Sequence, residues 1–511
     1  MVADDDKKGA EDDKKGAEHE HTAHSRQTQH SKELINAFKP IKYFLTVIGQ
    51  MPFVIKAKKD GTYSFKFYKL SGQVLVYFFM FFISSFLYLV VTIGIITFIL
   101  DSVFTYIKPE RTVIVKDKDD GTTDTLLWER YLIRHEMVSM IVVWSWLTVA
   151  FAGSLYIVVS SKYYVHYMNY FNRVVQIMDM DMTPGVSAYL FFNNILSLGV
   201  AVALTVGFIV GLIFEGFSAV TNTASVISNF IFRVFDIEIL DYGSNAMIWS
   251  QVMGYLIMIY ALFASRANVI QFLFFSQLLK NGSKIWNERL RKVLTHESID
   301  SKDEHDQFNQ RLEPRLIYKD HLLIVQLYQM TENVFGIILF AYYSLTIISV
   351  VMELYQLAAL QGFGSARSTT LLGNENDAKV QKAQLYEVRL GISSGVDKSQ
   401  ENEILGTAGV ALLLLLQNVY FCYRTTVDAA KAYEYAMKGF DILRRHGLMY
   451  CKNKTDRNFV LSLYFSFAKN NPLQLTAGGY FAVNKVLLVT MSATVVNWAI
   501  SIYQTRIDQW K

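Results

Sequence analysis

The stretch Leu487-Leu488-Val489-Thr490-Met491-Ser492-Ala493-Thr494-Val495-Val496-Asn497-Trp498-Ala499-Ile500-Ser501-Ile502-Tyr503-Gln504 decides how the chain is read. It is an apolar run close to the ~20 residues a membrane helix needs. Yet Thr490, Thr494, Asn497, Ser501, Gln504, Thr505 and Asp508 recur along it with the period of an α-helix. At 100° per residue these polar groups fall within an arc of roughly 120°, and Val495, Val496, Ala499, Ile502 and Tyr503 take the other side. Ser492 and Arg506 lie off the stripe. Polar groups facing lipid are costly, so the stripe must meet protein or water. Two readings are open at this point: a water-filled pathway, and a seam buried between packed helices.

The rest of the chain places this stretch in a polytopic membrane protein. Of 511 residues, 52% are hydrophobic and 18% charged, and only 6 are proline. A soluble protein carries closer to about a quarter charged residues. Apolar runs predict seven spans, at about 73–100, 137–160, 188–214, 246–275, 333–355, 404–423 and 476–504. No span carries a charge in its centre. Arg266 and Lys485 lie toward span ends, where long stems snorkel to water as interfacial anchors. The net charge of +4 and the lack of a basic-aromatic patch argue against nucleic acid as a partner. Cys422 and Cys451 cannot make a disulfide scaffold.

The expected organisation follows from these runs. Residues 1–31 read as a disordered tail, with the heptad Asp5-Asp6-Lys7-Lys8-Gly9-Ala10-Glu11 repeated at 12–18 before a His/Gln/Ser tract. Residues 32–72 read as an amphipathic pre-membrane segment centred on Phe38 to Val54. Residues 73–505 form the seven-helix domain, and 506–511 a short tail. The amino-terminal segment and the loops after spans two, four and six hold most of the 49 lysines and arginines. This bias places the amino terminus in the cytosol and the carboxyl terminus outside, opposite to a G-protein-coupled receptor. Segments 276–332 and 424–475 are then cytosolic. Their helical patterns at 281–295, 315–329 and 427–448 continue spans four, five and six into an inner domain suited to subunit contact.

No enzyme constellation stands out. The chain has no phosphate-binding glycine loop, no zinc His-Glu pair and no nucleophile elbow, so no cofactor and no catalytic metal is expected. A ligand site would be concave, aromatic-rich and reachable from outside. The outer halves of spans two to six supply Trp144, Trp146, Thr205, Trp249, Gln251, Tyr255, Thr346, Ser349 and Glu353 for it. Trp and Tyr also form interfacial belts, so belt and pocket compete for the same residues.

Three motifs carry a family resemblance. Gly479-Tyr480-Phe481-Ala482-Val483-Asn484-Lys485 is similar to the Gly-Phe-Phe element that opens the last span of insect gustatory receptors. Asn497-Trp498, five residues, then Gln504-Thr505 keeps the spacing and glutamine of that family's closing Thr-Tyr…Gln-Phe element. Lys42 to Pro52 resembles its Leu-x-x-Ile-Gly-x-x-Pro lead-in. The chain thus resembles the insect chemoreceptor superfamily, specifically its gustatory (taste) receptors, relatives of the odorant receptors and their co-receptor. The resemblance implies an all-α membrane protein with seven transmembrane helices, forming a tetramer, homomeric or mixed with relatives, around a central pore.

It further implies a nonselective cation channel in the plasma membrane of chemosensory neurons, opened by a small-molecule tastant bound within spans two to six. Monovalent and divalent cations and membrane lipid are its implied partners. The pore and gate would comprise Thr494, Asn497, Ser501, Gln504, Thr505 and Asp508. Thr505 stands where relatives carry a bulky apolar residue, which implies a polar constriction in place of a hydrophobic gate. Gly478 and Gly479, after Pro472, would be the hinge into the pore helix. The alternative function is a seven-span G-protein-coupled receptor or transporter.

Overall fold

The structure, a computed structural model, describes residues 28–107 (apart from 52, 59–61 and 68–70), 122–178, 180, 184–213, 219–235, 244–295, 313–372, 398–451, 453–468 and 473–510. The order is α1 (28–47), β1 (Val54–Ala57), β2 (Tyr63–Lys66), α2 (Gly72–Ile107), α3 (Thr122–Val159), α4 (Ser161–Ile177), α5 (Pro184–Ile213) and α6 (Ala219–Val234). It continues through α7 (Ser244–Thr295), α8 (Pro314–Leu372), α9 (Lys398–Tyr450), α10 (Lys454–Ala468), β3 (Thr476–Ala477), β4 (Phe481–Ala482) and α11 (Lys485–Trp510). Both two-stranded sheets are antiparallel hairpins.

Among the described residues, five helices carry stretches long and apolar enough to cross a membrane: Gly72–Thr97, Met137–Val159, Ile248–Thr295, Pro314–Leu357 and Ala408–Gly447. They contain the predicted spans one, two, four, five and six. Predicted spans three and seven fall in α5 and α11, whose described apolar stretches are shorter, Leu198–Ile213 and Lys485–Ser501. Hydroxyls in these helices cost little, because each can donate to the carbonyl one turn back, as Ser85 does to Phe81 and Thr148 to Trp144. The 52, 59 and 53 residues of α7, α8 and α9 are far longer than a ~30 Å hydrocarbon layer requires. Each must therefore project beyond it.

Five expectations need correction. Residues 28–31 of the expected disordered tail are helical, and the buried Ser31 donates to Asn172; residues 1–27 lie outside the described residues. The pre-membrane segment is a helix followed by a hairpin. The last helix begins at Lys485, not Thr476, because Gly478 and Gly479 take φ values of +63° and +79° and turn the chain into the β3–β4 hairpin. The loop between spans three and four contains α6, which packs Val220, Ala224, Ile227 and Ile231 inward at helical spacing. The 506–511 tail also changes, since α11 runs to Trp510.

The buried apolar residues form two cores. The larger gathers α1, β1–β2, α4, α10, the β3–β4 hairpin and the adjoining halves of α7, α8 and α9. The smaller joins α2, α3, α5, α6 and the first half of α7. The end holding α1 is the α1 end below, and the other the α6 end. A polar layer lies where the two cores meet.

Candidate ligand pocket and pore helix

That layer is built from side chains one helical turn apart on three helices. Helix α3 supplies Ser145, Trp146 and Val149; α7 supplies Ser265 and Arg266; α8 supplies Tyr342, Leu345, Thr346 and Ser349. Together they line a small cavity with about 10 Å³ open to the centre of a water molecule, room for roughly one water. Ser145 and Ser349 hydrogen-bond across it.

Arg266 organises the site. It is only 2% exposed and donates to Asn418 Oδ1 of α9. Asn418 in turn donates through Nδ2 to Glu353 Oε1 of α8 at 2.6 Å, and Glu353 is 1% exposed. Arginine stays charged in any protein setting, and a lone buried cation is very costly. Asn418 therefore bridges a cation and a carboxyl drawn from neighbouring helices. The guanidinium also lies 6.0 Å from the Tyr342 ring centroid and 5.4 Å from that of Phe421. Arg266 Nε, Trp146 Nε1 and Glu353 Oε2 have no hydrogen-bond partner among the described residues. The expectation of Arg266 as a snorkelling anchor is thus overturned, because the surrounding helices shut it off from either surface. Lys485 is exposed and pairs with Glu434 at 2.6 Å.

Of the predicted pocket residues, Trp146, Thr346 and Ser349 line the cavity, and Glu353 joins it through Asn418. The others do not. Trp144 Nε1 donates to Thr92 Oγ1 at 3.0 Å, tying α3 to α2. Thr205 and Tyr255 share a 2.5 Å hydrogen bond, and Tyr255 stacks on Phe208, all within the smaller core. Gln251 is half-buried, and Trp249 is 73% exposed, as a lipid-facing belt residue would be. Sequence reasoning missed Arg266, Asn418, Tyr342 and Ser145. The signal for Arg266 was present: a single ionisable residue in an apolar run is a site candidate by default.

Along α11, Met491 is buried and its Sδ sits 3.9 Å from Cys422 Sγ of α9. Thr494 is half-buried, whereas Thr490, Asn497, Ser501 and Gln504 are exposed. The Thr490, Thr494 and Ser501 hydroxyls donate to carbonyls four residues back. The carbonyl oxygen of an amide cannot be satisfied that way, and neither Asn497 nor Gln504 has a side-chain partner among the described residues. The side chains of Thr505 and Asp508 lie outside the described residues, as does Pro472.

The hairpin before α11 is pinned to α8. Thr476 Oγ1 donates to Glu332, Phe340 meets Tyr480 and Phe481 at 4.8 and 6.2 Å between centroids, and Tyr343 meets Phe481 at 6.0 Å. A Cβ placed on Gly336 would come within 3.1 Å of the Gly478 nitrogen, so helix and turn touch through backbone.

Neither a family model nor a curated protein matches the sequence. Solved structures do match. The insect olfactory receptor OR5 from Machilis hrabei superposes with a TM-score of 0.55 and 11% identity over 92% of this chain and 98% of that one. The chain has the fold of an insect olfactory receptor. OR5 in complex with eugenol gives a TM-score of 0.51 at 11% identity, over 94% and 99% of the two chains. The match runs nearly end to end, so the likeness covers the fold as a whole. At this identity the olfactory-receptor fold carries no residue roles with it, and the cavity and α11 are read from their own chemistry.

Proposed function

We propose that the chain is a ligand-gated, nonselective cation channel acting as a gustatory receptor, in a tetramer with α11 of each subunit lining a central pore. The observation that carries this is the pair Asn497 and Gln504. Both amides are exposed on one polar stripe of a helix whose opposite side is apolar, and an unsatisfied amide in hydrocarbon costs several kcal/mol. A water-filled axis shared by four copies satisfies them. Thr494 and Ser501 would stack as further polar rings, with Thr505 and Asp508 at the mouth, where four carboxylates concentrate cations.

The polar layer is the ligand site in this reading, and OR5's complex with eugenol supports a small-molecule occupant. The cavity admits only about a water, so a ligand must widen it and favours whichever state offers more room. Helix α8 carries both the cavity wall and the seat of the hairpin. Widening would move the hairpin and swing α11 about Gly478 and Gly479. The seven crossings, the cytosolic amino terminus and the plasma membrane of chemosensory neurons complete the proposal.

Recording from membrane patches of cells expressing only this chain, free of nucleotides, tests it. Tastant-evoked cation current is expected. A carboxyl-terminal tag that antibody reaches only after permeabilisation would overturn the topology.

A further inference from the structure

The α1 end carries a surface that neither pocket nor pore uses. Ser31 at the start of α1 bonds Asn172 of α4, and Gln50 just past its end bonds Ser154 of α3 at 2.8 Å. Between these two contacts lie nearly equal lengths of chain, roughly 25–28 Å at 1.5 Å per residue. Helix α1 therefore runs antiparallel alongside α3 and α4. In that register Lys42 falls within a turn of the level of Lys162, and Lys39 lies one turn further from the α6 end.

The ends of two apolar stretches put the expected membrane boundary at this level. The apolar stretch of α3 ends at Val159 and that of α2 begins at Gly72. Tyr77 Oη donates to the Ser154 carbonyl at 2.6 Å, which brings the ends of the two spans level. Val159 is 77% exposed, and on α1 Tyr43 and Val47 are 66% and 80% exposed, all at or just on the apolar side of the boundary. Lys162 follows Val159 by one turn. Lys66 lies about 10 Å further out at 1.5 Å per residue, because its neighbour Phe65 exchanges hydrogen bonds with Asn169. Helix α4 has no acidic residue, and the one on α1, Glu33, pairs with His30.

We propose that this band of Lys39, Lys42, Lys66 and Lys162, beneath Tyr43, Val47 and Val159, binds the headgroups of anionic phospholipids. Charge selects the partner: three exposed lysines and the half-buried Lys42, at headgroup depth with no carboxylate among them, fit a negatively charged lipid, and the apolar residues above them fit its acyl chains. A free phosphate would meet the lysines but not the apolar rim.

The test uses the full chain reconstituted in phosphatidylcholine vesicles, with spin-labelled phosphatidylserine or phosphatidylcholine as the probe. Phosphatidylserine is expected in the immobilised shell with a preference of about fivefold per engaged lysine, declining as salt rises. Exchanging all four, Lys39→Gln, Lys42→Gln, Lys66→Gln and Lys162→Gln, should reduce that preference to near one. Lys284→Gln, which removes an exposed charge far along α7, should leave it intact. Equal immobilisation of the two lipids by the unaltered chain overturns the site without need of any variant. So does a preference that survives in the fourfold variant, or one that Lys284→Gln also abolishes.

Discussion

Tyr342 and Tyr343 are neighbours with ring centroids 5.5 Å apart, and they face different machinery. Tyr342 lines the polar cavity under Arg266, whereas Tyr343 touches Phe481 of the hairpin that leads into α11. A single residue step along α8 thus takes the chain from the cavity to the anchor of α11. Under the proposed function, a rotation of α8 that opens the cavity would also displace the hairpin.

Gly336→Val should uncouple the two. Its side chain would push against the Gly478 backbone, an overpacking strain of about 1–3 kcal/mol. Tastant binding, followed by thermal shift, should survive, and evoked current should fall at least tenfold. Unchanged current would show that the hairpin is a passive strap.

Gln504→Ala and Asn497→Ala should each change single-channel conductance or cation preference. Ser492→Ala, exposed off the polar stripe, serves as the comparison and should change neither. If all three variants conduct alike, α11 does not line the pathway.

Removing Arg266 should destabilise the chain. Arg266→Met leaves the buried Asn418 Oδ1 without its donor, and a buried group left unsatisfied costs about 1–3 kcal/mol. Thermal unfolding of the purified protein measures the loss. A variant as stable as the parent would show that the bridge through Asn418 contributes nothing.

Gly49→Ala should destabilise the chain by about 1–3 kcal/mol. Gly49 takes φ +67°, and an added Cβ would fall 2.3 Å from Met80 Cγ. This gives a physical reason for the glycine in the Leu45-x-x-Ile48-Gly49 lead-in, whose Leu45 and Ile48 are buried. Urea unfolding read by tryptophan fluorescence measures the effect.

Long apolar runs announced five spans, and helical periodicity beyond them gave the continuations of α7, α8 and α9, because both signals are local. Helix α6 escaped because it is too short to cross a membrane and its amphipathic pattern lies inside a loop. The pocket was only partly legible. Trp146, Thr346 and Ser349 stood out as polar or aromatic residues in outer half-spans, but Thr205 and Tyr255 looked the same and instead satisfy each other. Arg266 was misplaced because its partners, Asn418 and Glu353, are remote in sequence and only packing brings them together.

The docking of α1 has a bearing on biogenesis. Its apolar face closes on residues made far later: Phe38 meets Phe274 with centroids 5.3 Å apart, and Phe44 meets Phe263 at 5.6 Å. When α1 leaves the ribosome, neither partner has been translated. It must wait, sheltered by a chaperone or resting on the bilayer surface, while the first several spans are inserted. Helix α1, made well before its partners, is then among the last to find its place, and nascent chains halted before α7 should expose it to protease.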